Sequence, residues 1–339
     1  MKEACDYLRR IKSFLKRQVA TPLVSVIVPT YNGGKTIAKC LDSLLGQSQR
    51  RIRIICVNDG STDNTLRIIK KYRRKNRRIR IINQKNQGRA AARNAGLRAV
   101  RTKYVMFCDD DDLYEESMCE NMIDVIEKSK ADFAVCGINV IYKAHEEMRE
   151  SDEKYYKLYF DGLQEVNDGI INKIDASVCN KIFRMSIIRE NEISFPDGLN
   201  NEDYYFCNAY MSVAKTVFFL KQKLYCYIRR KGSIMSDNFD GTKESIDHLL
   251  VAEKLFRFYK KIGFLNKHRD LFWRQWISSF WASFRYSDKK YRYKIKEEAM
   301  KFLSENYEKY EPKEEELRRW KSDIIKTLDK IKGEKNGKL

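Results

Sequence analysis

Between residues 23 and 141 the chain alternates between short runs rich in β-branched residues and segments of helical period. The apolar runs stand at 23–28, 52–58, 79–83, 103–108 and 132–141. Segments with apolar residues three and four apart lie between them, at about 35–46, 62–76, 88–100 and 114–130. Asp63 or Ser61 is placed to cap the second of these helices. This β/α rhythm predicts an α/β fold with a mostly parallel central sheet and helices on both faces. Ligands of such sheets bind beyond the carboxyl ends of the strands. That rule singles out three strand ends: 29–32, 58–61 and 109–112.

The pattern changes on either side. In residues 1–20, Leu8, Ile11 and Leu15 share a helical face with Tyr7 and Phe14 beside it and basic residues around it, which predicts a short amphipathic helix closed by Thr21-Pro22. Residues 142–240 are mixed. Residues 243–332 read as helical, charged and aromatic, with one break at Pro312. The expected organisation is therefore an N-terminal helix over 1–20, an α/β domain over 21–240 with a first half 21–141 and a second half 142–240, and a helical C-terminal region over 241–339. Phe272, Trp273, Trp276, Phe280, Trp281 and Phe284 share one broad helical face. That face reads as core packing, with an interfacial role as the alternative.

Composition narrows the function classes. With 43% hydrophobic residues the 339-residue chain can form a core, which excludes global disorder. Nine cysteines show no C-x-x-C pair and no zinc spacing. Cys56, Cys108 and Cys136 sit in apolar runs and read as buried thiols of a reducing compartment. Three histidines make a histidine-rich metal site a poor reading. No signal peptide and no apolar run of spanning length are present, so the chain is not expected to be integral to a membrane. The net charge of +20 is uneven: an excess of about 16 positive charges falls in 50–103 and about 10 negative charges in 104–240. That is a basic collar beside an acidic site rather than a uniform nucleic-acid surface. "LRIIKKYRRKNRRIR", residues 66–80, contains Tyr72 as its one aromatic, too few for base stacking.

Three stretches carry chemistry. "YVMFCDDDDLY" ends an apolar strand in Asp109, Asp110, Asp111 and Asp112. Adjacent carboxylates repel, and their natural partner is a hard divalent cation. Residues two apart on a strand share a side, so Asp109 and Asp111 can face one ligand while Asp110 points elsewhere. "ICVNDGSTDNT" places Asp59 at the mouth of a neighbouring strand, where a carboxylate could accept hydrogen bonds from a base imide or a ribose hydroxyl. "NEDYYF" opens a candidate helix with Glu202 and Asp203 pointing in different directions, so that one can act as a general base. A fourth stretch, "VIVPTYNGGKT", ends like a phosphate-binding P-loop. Pro29 stands where that loop needs glycine, and a four-aspartate cluster is not the single acid a P-loop enzyme uses. Gly34-Lys35-Thr36 reads as a helix start.

"VSVIVPTYN", "VNDGSTDNT", "NQGRAAARNAGL", "YVMFCDDDD" and "NEDYYF" occur in this order. On these motifs, over roughly residues 22–240, the chain resembles the family 2 glycosyltransferases of bacterial surface-polysaccharide assembly, which have the GT-A fold. The resemblance implies an inverting transfer from a nucleotide-diphosphate sugar, most often a UDP-sugar, to a hydroxyl of a glycan or a polyprenyl-diphosphate-linked saccharide. It implies that Pro29, Thr30 and Tyr31 line the uridine, that Asn32 shapes the turn, and that Asp59 holds the uracil. Asn86, Gly88 and Arg93 match the segment beside the diphosphate and ribose. Asp109 and Asp111 match the DxD pair, the first toward ribose and sugar, the second on Mn²⁺ or Mg²⁺. The family usually has a serine where Asp110 stands, and the extra acid brings Asp112 into the metal set. Asp203 matches the catalytic base, with Glu202 beside it. Lys181 in "VCNKIFR" and Arg229, Arg230 and Ser233 in "YIRRKGSIM" resemble later segments near the diphosphate or acceptor.

The basic residues 66–80 and the first 20 residues are placed to meet anionic lipid, where a lipid-linked acceptor would lie. The expected location is the cytoplasm, peripheral on the inner face of the cell membrane, with no nucleic-acid partner. Two alternatives stand beside this reading: a basic nucleic-acid-binding protein, and a glycosyltransferase-like scaffold without activity.

Overall fold

The computed structural model describes residues 21–142, 156–229 and 245–331. The expected helix over 1–20 lies outside them, as do Arg230 and Ser233. The chain falls into two compact units. One takes the chain up to Asn139 with Cys179–Ser186 and Leu220–Cys226; the other takes Val140–Val178, Ile187–Phe219 and Tyr227 onward.

The first unit opens with β1 (Val24–Thr30), α1 (Ile37–Leu45), β2 (Ile52–Asp59), α2 (Thr65–Lys75), β3 (Ile79–Gln84), α3 (Arg89–Ala99) and β4 (Tyr104–Phe107). All seven residues of β1 are buried, and β2 is buried but for Arg53, because each of these strands is covered on both faces. β1 pairs in parallel with β2 and β4, and β2 with β3. Pro29, with no N–H, falls past Ile27, the last β1 residue in register with β4. α1 turns Ile37, Cys40, Leu41 and Leu44 inward at helical spacing. α3 is built differently. Its alanines and Gly96 let it press onto the sheet: a Cβ on Gly96 would lie 2.5 Å from the Ile27 side chain. That close approach carries Arg93 into the interior, where it is 0% exposed.

Beyond β4 the sheet turns antiparallel. β5 (Leu113–Tyr114), α4 (Met118–Ser129), β6 (Phe133–Tyr142), β7 (Gly162–Glu165), β8 (Lys181–Arg184) and β9 (Thr216–Arg229) complete it. The strand order is β3-β2-β1-β4-β8-β6-β9-β5. β8 pairs antiparallel with β4 and β6, and β5 with β9. The parallel pairing thus holds for β1 to β4; β8 runs against them, and β6, antiparallel to β8, runs in their direction without pairing in parallel with them.

In the second unit β7 pairs with the first residues of β9. Its helices are α5 (Asp168–Ile171), α6 (Met185–Glu190, which begins in the first unit), α7 (Glu202–Met211), α8 (Asp247–Lys261), α9 (Leu265–Tyr286), α10 (Arg292–Asn306) and α11 (Glu315–Asp329). Pro312 lies between α10 and α11 as expected. Further breaks come at Gly263, in the left-handed region at φ +73°, and at extended Ser287. The aromatic stripe of α9 is core. Phe272, Trp273, Trp276 and Phe280 are at most 2% exposed. Trp276 stacks on Phe302 of α10 with centroids 5.4 Å apart, and Phe256 of α8 meets Phe272 at 5.0 Å. The core reading holds for these four residues of the stripe, while Trp281 and Phe284 are part-exposed. No helix among the described residues is long and apolar enough to cross a membrane. The eight described cysteines are buried and form no disulfide, in line with the reading of Cys56, Cys108 and Cys136 as buried thiols.

Candidate active site

The first unit brings three loops together at the carboxyl ends of β1, β2 and β4. Asn32 turns the chain after β1 in the left-handed conformation, φ +52°, which asparagine tolerates better than most residues. Its N–H donates to Ser61 Oγ at 3.0 Å, and its Oδ1 accepts the Thr62 N–H at 2.8 Å. Gly34 N–H donates to Asp63 Oδ2 at 2.9 Å. Asp63 also accepts the Thr65 N–H, so it satisfies a first-turn amide of α2, although the cap position itself is Asn64. Partial desolvation raises the Asp63 carboxyl, but bonds from the Thr65 hydroxyl and from the Thr65 and Gly34 amides outweigh it and hold the group below its ordinary value.

The Gly34-Lys35-Thr36 tail does not form a phosphate loop. The Thr36 and Ile37 amides bond back to Gly33 O at 3.0 and 2.9 Å, starting α1, and Lys35 is exposed. Tyr31 is 52% exposed at the rim.

Asp59, 3% exposed, holds the 84–88 loop. Its Oδ1 accepts from Gln84 Nε2 at 2.8 Å and Gln87 N–H at 3.0 Å, and its Oδ2 from Gly88 N–H at 2.8 Å. Asn86 Oδ1 accepts the same Gly88 N–H at 3.2 Å. Gly60, at φ +74°, permits the close approach: a Cβ there would stand 2.6 Å from the Asn86 nitrogen. Any ligand contact of Asp59 is therefore made by a carboxylate already fixed from behind.

The four aspartates separate into different environments. Asp109 is 28% exposed at its side chain and pairs with fully buried Arg93, Nη2 to Oδ1 2.8 Å. Arg93 was expected beside the diphosphate; its burial makes it a support for Asp109 instead. Asp110 accepts a short hydrogen bond from the Thr30 hydroxyl. Gly33 leaves room for that contact, since a Cβ there would fall 1.9 Å from Asp110 Oδ2. Asp111 is part-exposed. Asp112 is 2% exposed, and its Oδ2 accepts the hydroxyl of buried Tyr225 on β9, whose ionisation burial and the Asp112 charge both oppose. Asp112 belongs to the interior, which corrects its place in the metal set. The reason is register: the turn closes with Asp112 N–H on Asp109 O and swings the fourth carboxylate inward. Lys181 is likewise corrected. It is 0% exposed in β8 and its ammonium donates to Asn180 Oδ1 at 2.8 Å, so it is an interior residue and not an open contact for a diphosphate or acceptor.

Carboxylate oxygens are the donors that Mg²⁺ and Mn²⁺ take, one or two at a time when phosphate oxygens and water complete the shell. Asp111, with Asp109 two residues away, fits such a group. No cluster of three or more His, Cys, Asp or Glu side chains able to hold a metal occurs among the described residues.

The second unit carries the acidic pair. Glu202 and Asp203 open α7; Glu202 is 2% exposed and Asp203 part-exposed. Before them Asn201 takes φ +64°. Asn200 donates through its N–H and Nδ2 to Asp247 Oδ2 at 2.9 and 2.7 Å, and Asn201 Nδ2 meets His248 Nδ1 at 3.1 Å. Arg229, 5% exposed, ends β9. Sequence reasoning missed Gln84, Tyr225, Asp247 and His248. Gln84 lay at the end of a legible strand, whereas the other three carried no motif.

The profile of the family described as Glycosyl transferase family 2 matches residues 25–191. The glycosyltransferase GlyG of Streptococcus pneumoniae is 31% identical over 64% of this chain and 74% of its own length. The putative glycosyltransferase EpsH of Bacillus subtilis is 32% identical over 63% of each. Among solved structures, S. aureus TarS 1–349 in complex with UDP-GlcNAc superimposes with a TM-score of 0.56 over 90% of both chains at 23% identity, and the mannosyltransferase PcManGT of Pyrobaculum calidifontis, in complex with GDP-Man and Mn²⁺, with 0.52 over 96% and 93% at 16%. These likenesses place the fold as GT-A. With the ordered motifs and the match to GlyG, they lead to one conclusion: the chain belongs to the family 2 glycosyltransferases.

Proposed function

We propose that this glycosyltransferase moves a sugar from a nucleotide-diphosphate donor, a UDP-sugar by preference, to a hydroxyl of a glycan or lipid-linked saccharide in surface-polysaccharide synthesis, with inversion. The observation that carries the reading is the acidic turn at the carboxyl end of β4, where Asp109 and Asp110 are held by Arg93 and Thr30 beside part-exposed Asp111, with Asp59 at the end of β2. The donor preference is supported by TarS, solved with UDP-GlcNAc, and the acceptor class by relatives named as poly(ribitol-phosphate) glycosyltransferases.

In this reading Pro29, Thr30 and Tyr31 line the nucleoside, and Asp59 faces the base while holding the loop of Asn86 and Gly88. Asp109 is directed at ribose and sugar. A divalent cation bound at Asp111 would supply charge neutralisation on the leaving diphosphate. Asp203 accepts the proton of the acceptor hydroxyl as that oxygen bonds to the anomeric carbon. The bond from that carbon to the diphosphate oxygen breaks on the opposite face, and a single displacement inverts the centre. Residues 21–141 are the donor half and 142–240 the acceptor half of this proposal.

A cytoplasmic enzyme on the inner membrane face is the matching location. It is supported by Arg67, Lys70, Lys71 and Arg74, which recur at helical spacing and line one open groove of α2 with Leu66 and Ile68. Flotation with anionic liposomes at low salt tests the location, and failure to float ends it. The reaction is tested by nucleoside-diphosphate release with Mn²⁺ over a panel of UDP- and GDP-sugars with saccharide acceptors. Turnover with one pair supports the reading; release from GDP-sugars alone removes the donor assignment.

A further inference from the structure

The turn that delivers Asp203 is unusual in where its support comes from. Gly198 and Asn201 both have positive φ, +73° and +64°. Asn201 occupies the cap position of α7, yet its side chain makes no hydrogen bond to the first-turn amides. It reaches instead to His248 Nδ1 at 3.1 Å, while both nitrogens of Asn200 converge on Asp247 Oδ2 at 2.9 and 2.7 Å. Two consecutive residues of the first turn of α8 thus hold the two consecutive residues that precede the acidic pair.

α8 is itself anchored. Leu249 N–H donates to Ser283 Oγ of α9 at 3.1 Å, and Ser245 N–H to Ser287 Oγ at 2.8 Å. Lower on α8, Phe258 meets Tyr205 of α7 edge-on with centroids 6.2 Å apart, and Gln275 of α9 bonds Asn208 of α7 at 2.7 Å. The grip is therefore fixed at both ends.

We propose that Asp247 and His248 are positioning residues for the base, setting the Asn200–Asn201 turn so that Asp203 faces the acceptor hydroxyl. The proposal rests on Asp203 as the base. With the Asn201 amide nitrogen donating, His248 Nδ1 must accept, so the ring is neutral with its proton on Nε2. A protonated ring would set donor against donor. Burial pushes His248 below its ordinary value, with Asp247 on its own helix opposing. From α9 it faces the Tyr286 ring at 6.2 Å, and from the turn uncharged Asn201. The neutral ring accordingly persists below the ordinary imidazole range near ~6.5, and the grip loosens as the pH falls further.

The test uses the full chain with Mn²⁺. In His248→Ala we expect UDP turnover to fall about ten- to a hundredfold with donor KM unchanged. Hydrogen exchange should quicken at amides 199–204 and not elsewhere, and UDP should bind as in wild type. His248→Asn puts an amide oxygen where Nδ1 was. It should restore turnover and remove the histidine contribution to the acid limb. His248→Gln, whose oxygen sits nearer the Nε2 position, should not. Wild-type turnover and pH profile in His248→Ala would overturn the proposal, as would a His248→Gln as active as His248→Asn. Should His248→Ala fail to fold, a folded His248→Asn with an unaltered acid limb overturns it. Asp203→Asn separates the two readings. If it is inactive and His248→Ala is unaffected, the grip alone fails; if it is fully active, the base assignment fails and the grip loses its object.

Discussion

Two turns of this molecule deliver acidic residues, and they are built by opposite means. The turns after β1, β2 and β3 support one another. Asn32 bonds Ser61 and Thr62, Gly34 bonds Asp63, and Asp59 holds Gln87 and Gly88, all at separations of about thirty residues or fewer and nearly all inside the motifs. The turn before α7 is held from 47 residues downstream by Asp247 and His248, in a helix with no motif at all. A site that brings its own scaffold announces itself in the sequence. A site held by a distant helix shows its acids and hides what aims them.

Substitutions can break this contrast, and the largest effect is expected at Asp111. Asp111→Ala should abolish UDP release and weaken UDP binding in the presence of Mn²⁺, read by calorimetry; binding unchanged by the substitution would move the cation elsewhere. Gly33→Ala comes next. Its Cβ would collide with Asp110 and Thr30, at 1.9 and 2.7 Å, so donor KM should rise about tenfold while kcat changes less. A normal donor KM would mean that the loop yields and is less mutually fixed than described.

A smaller effect probes the helix behind the second turn. Glu253 of α8 is 3% exposed, and burial first, then the neighbouring Glu298, push its carboxyl up to about 8 against the pull of Arg257 and Lys301. A carboxyl raised on folding contributes stability below its unfolded value that is lost as the pH rises through about 8. Glu253→Gln should therefore melt like wild type near pH ~4 and several degrees higher at pH ~9. A constant difference across pH would show that Glu253 does not titrate there. The smallest effect is expected at Lys35. A P-loop lysine would be indispensable, whereas Lys35→Ala should change kcat/KM by less than about twofold.

The same contrast governs what could be read in advance. β1 to β4 and α1 to α4 were legible because each shows its period or, like the four residues of β4, a continuous buried apolar run. β5 has two residues, and the four of β7 (GLQE) and of β8 (KIFR) lack the continuous apolar run of β4 (YVMF). The antiparallel pairing of β6 comes from β8, a later strand inserted between it and β4, a matter of tertiary pairing. Within the site, residue type was read well and direction less well. Arg93 and Lys181 look like anion contacts by charge, but the small face of α3 and the pairing of β8 draw them inside. Asp112 looks like a metal ligand beside Asp111 until the β4 turn hands it to Tyr225. Nothing in a string of residues fixes which way a turn swings its last side chain.

The central claim is that Asp203 takes the proton in a direct displacement. Asp203→Asn tests it in one preparation, by UDP release with Mn²⁺ and the active donor and acceptor and by UDP binding under the same conditions. The account predicts a loss of turnover of about a thousandfold with UDP affinity unchanged. Turnover at the wild-type rate would contradict it.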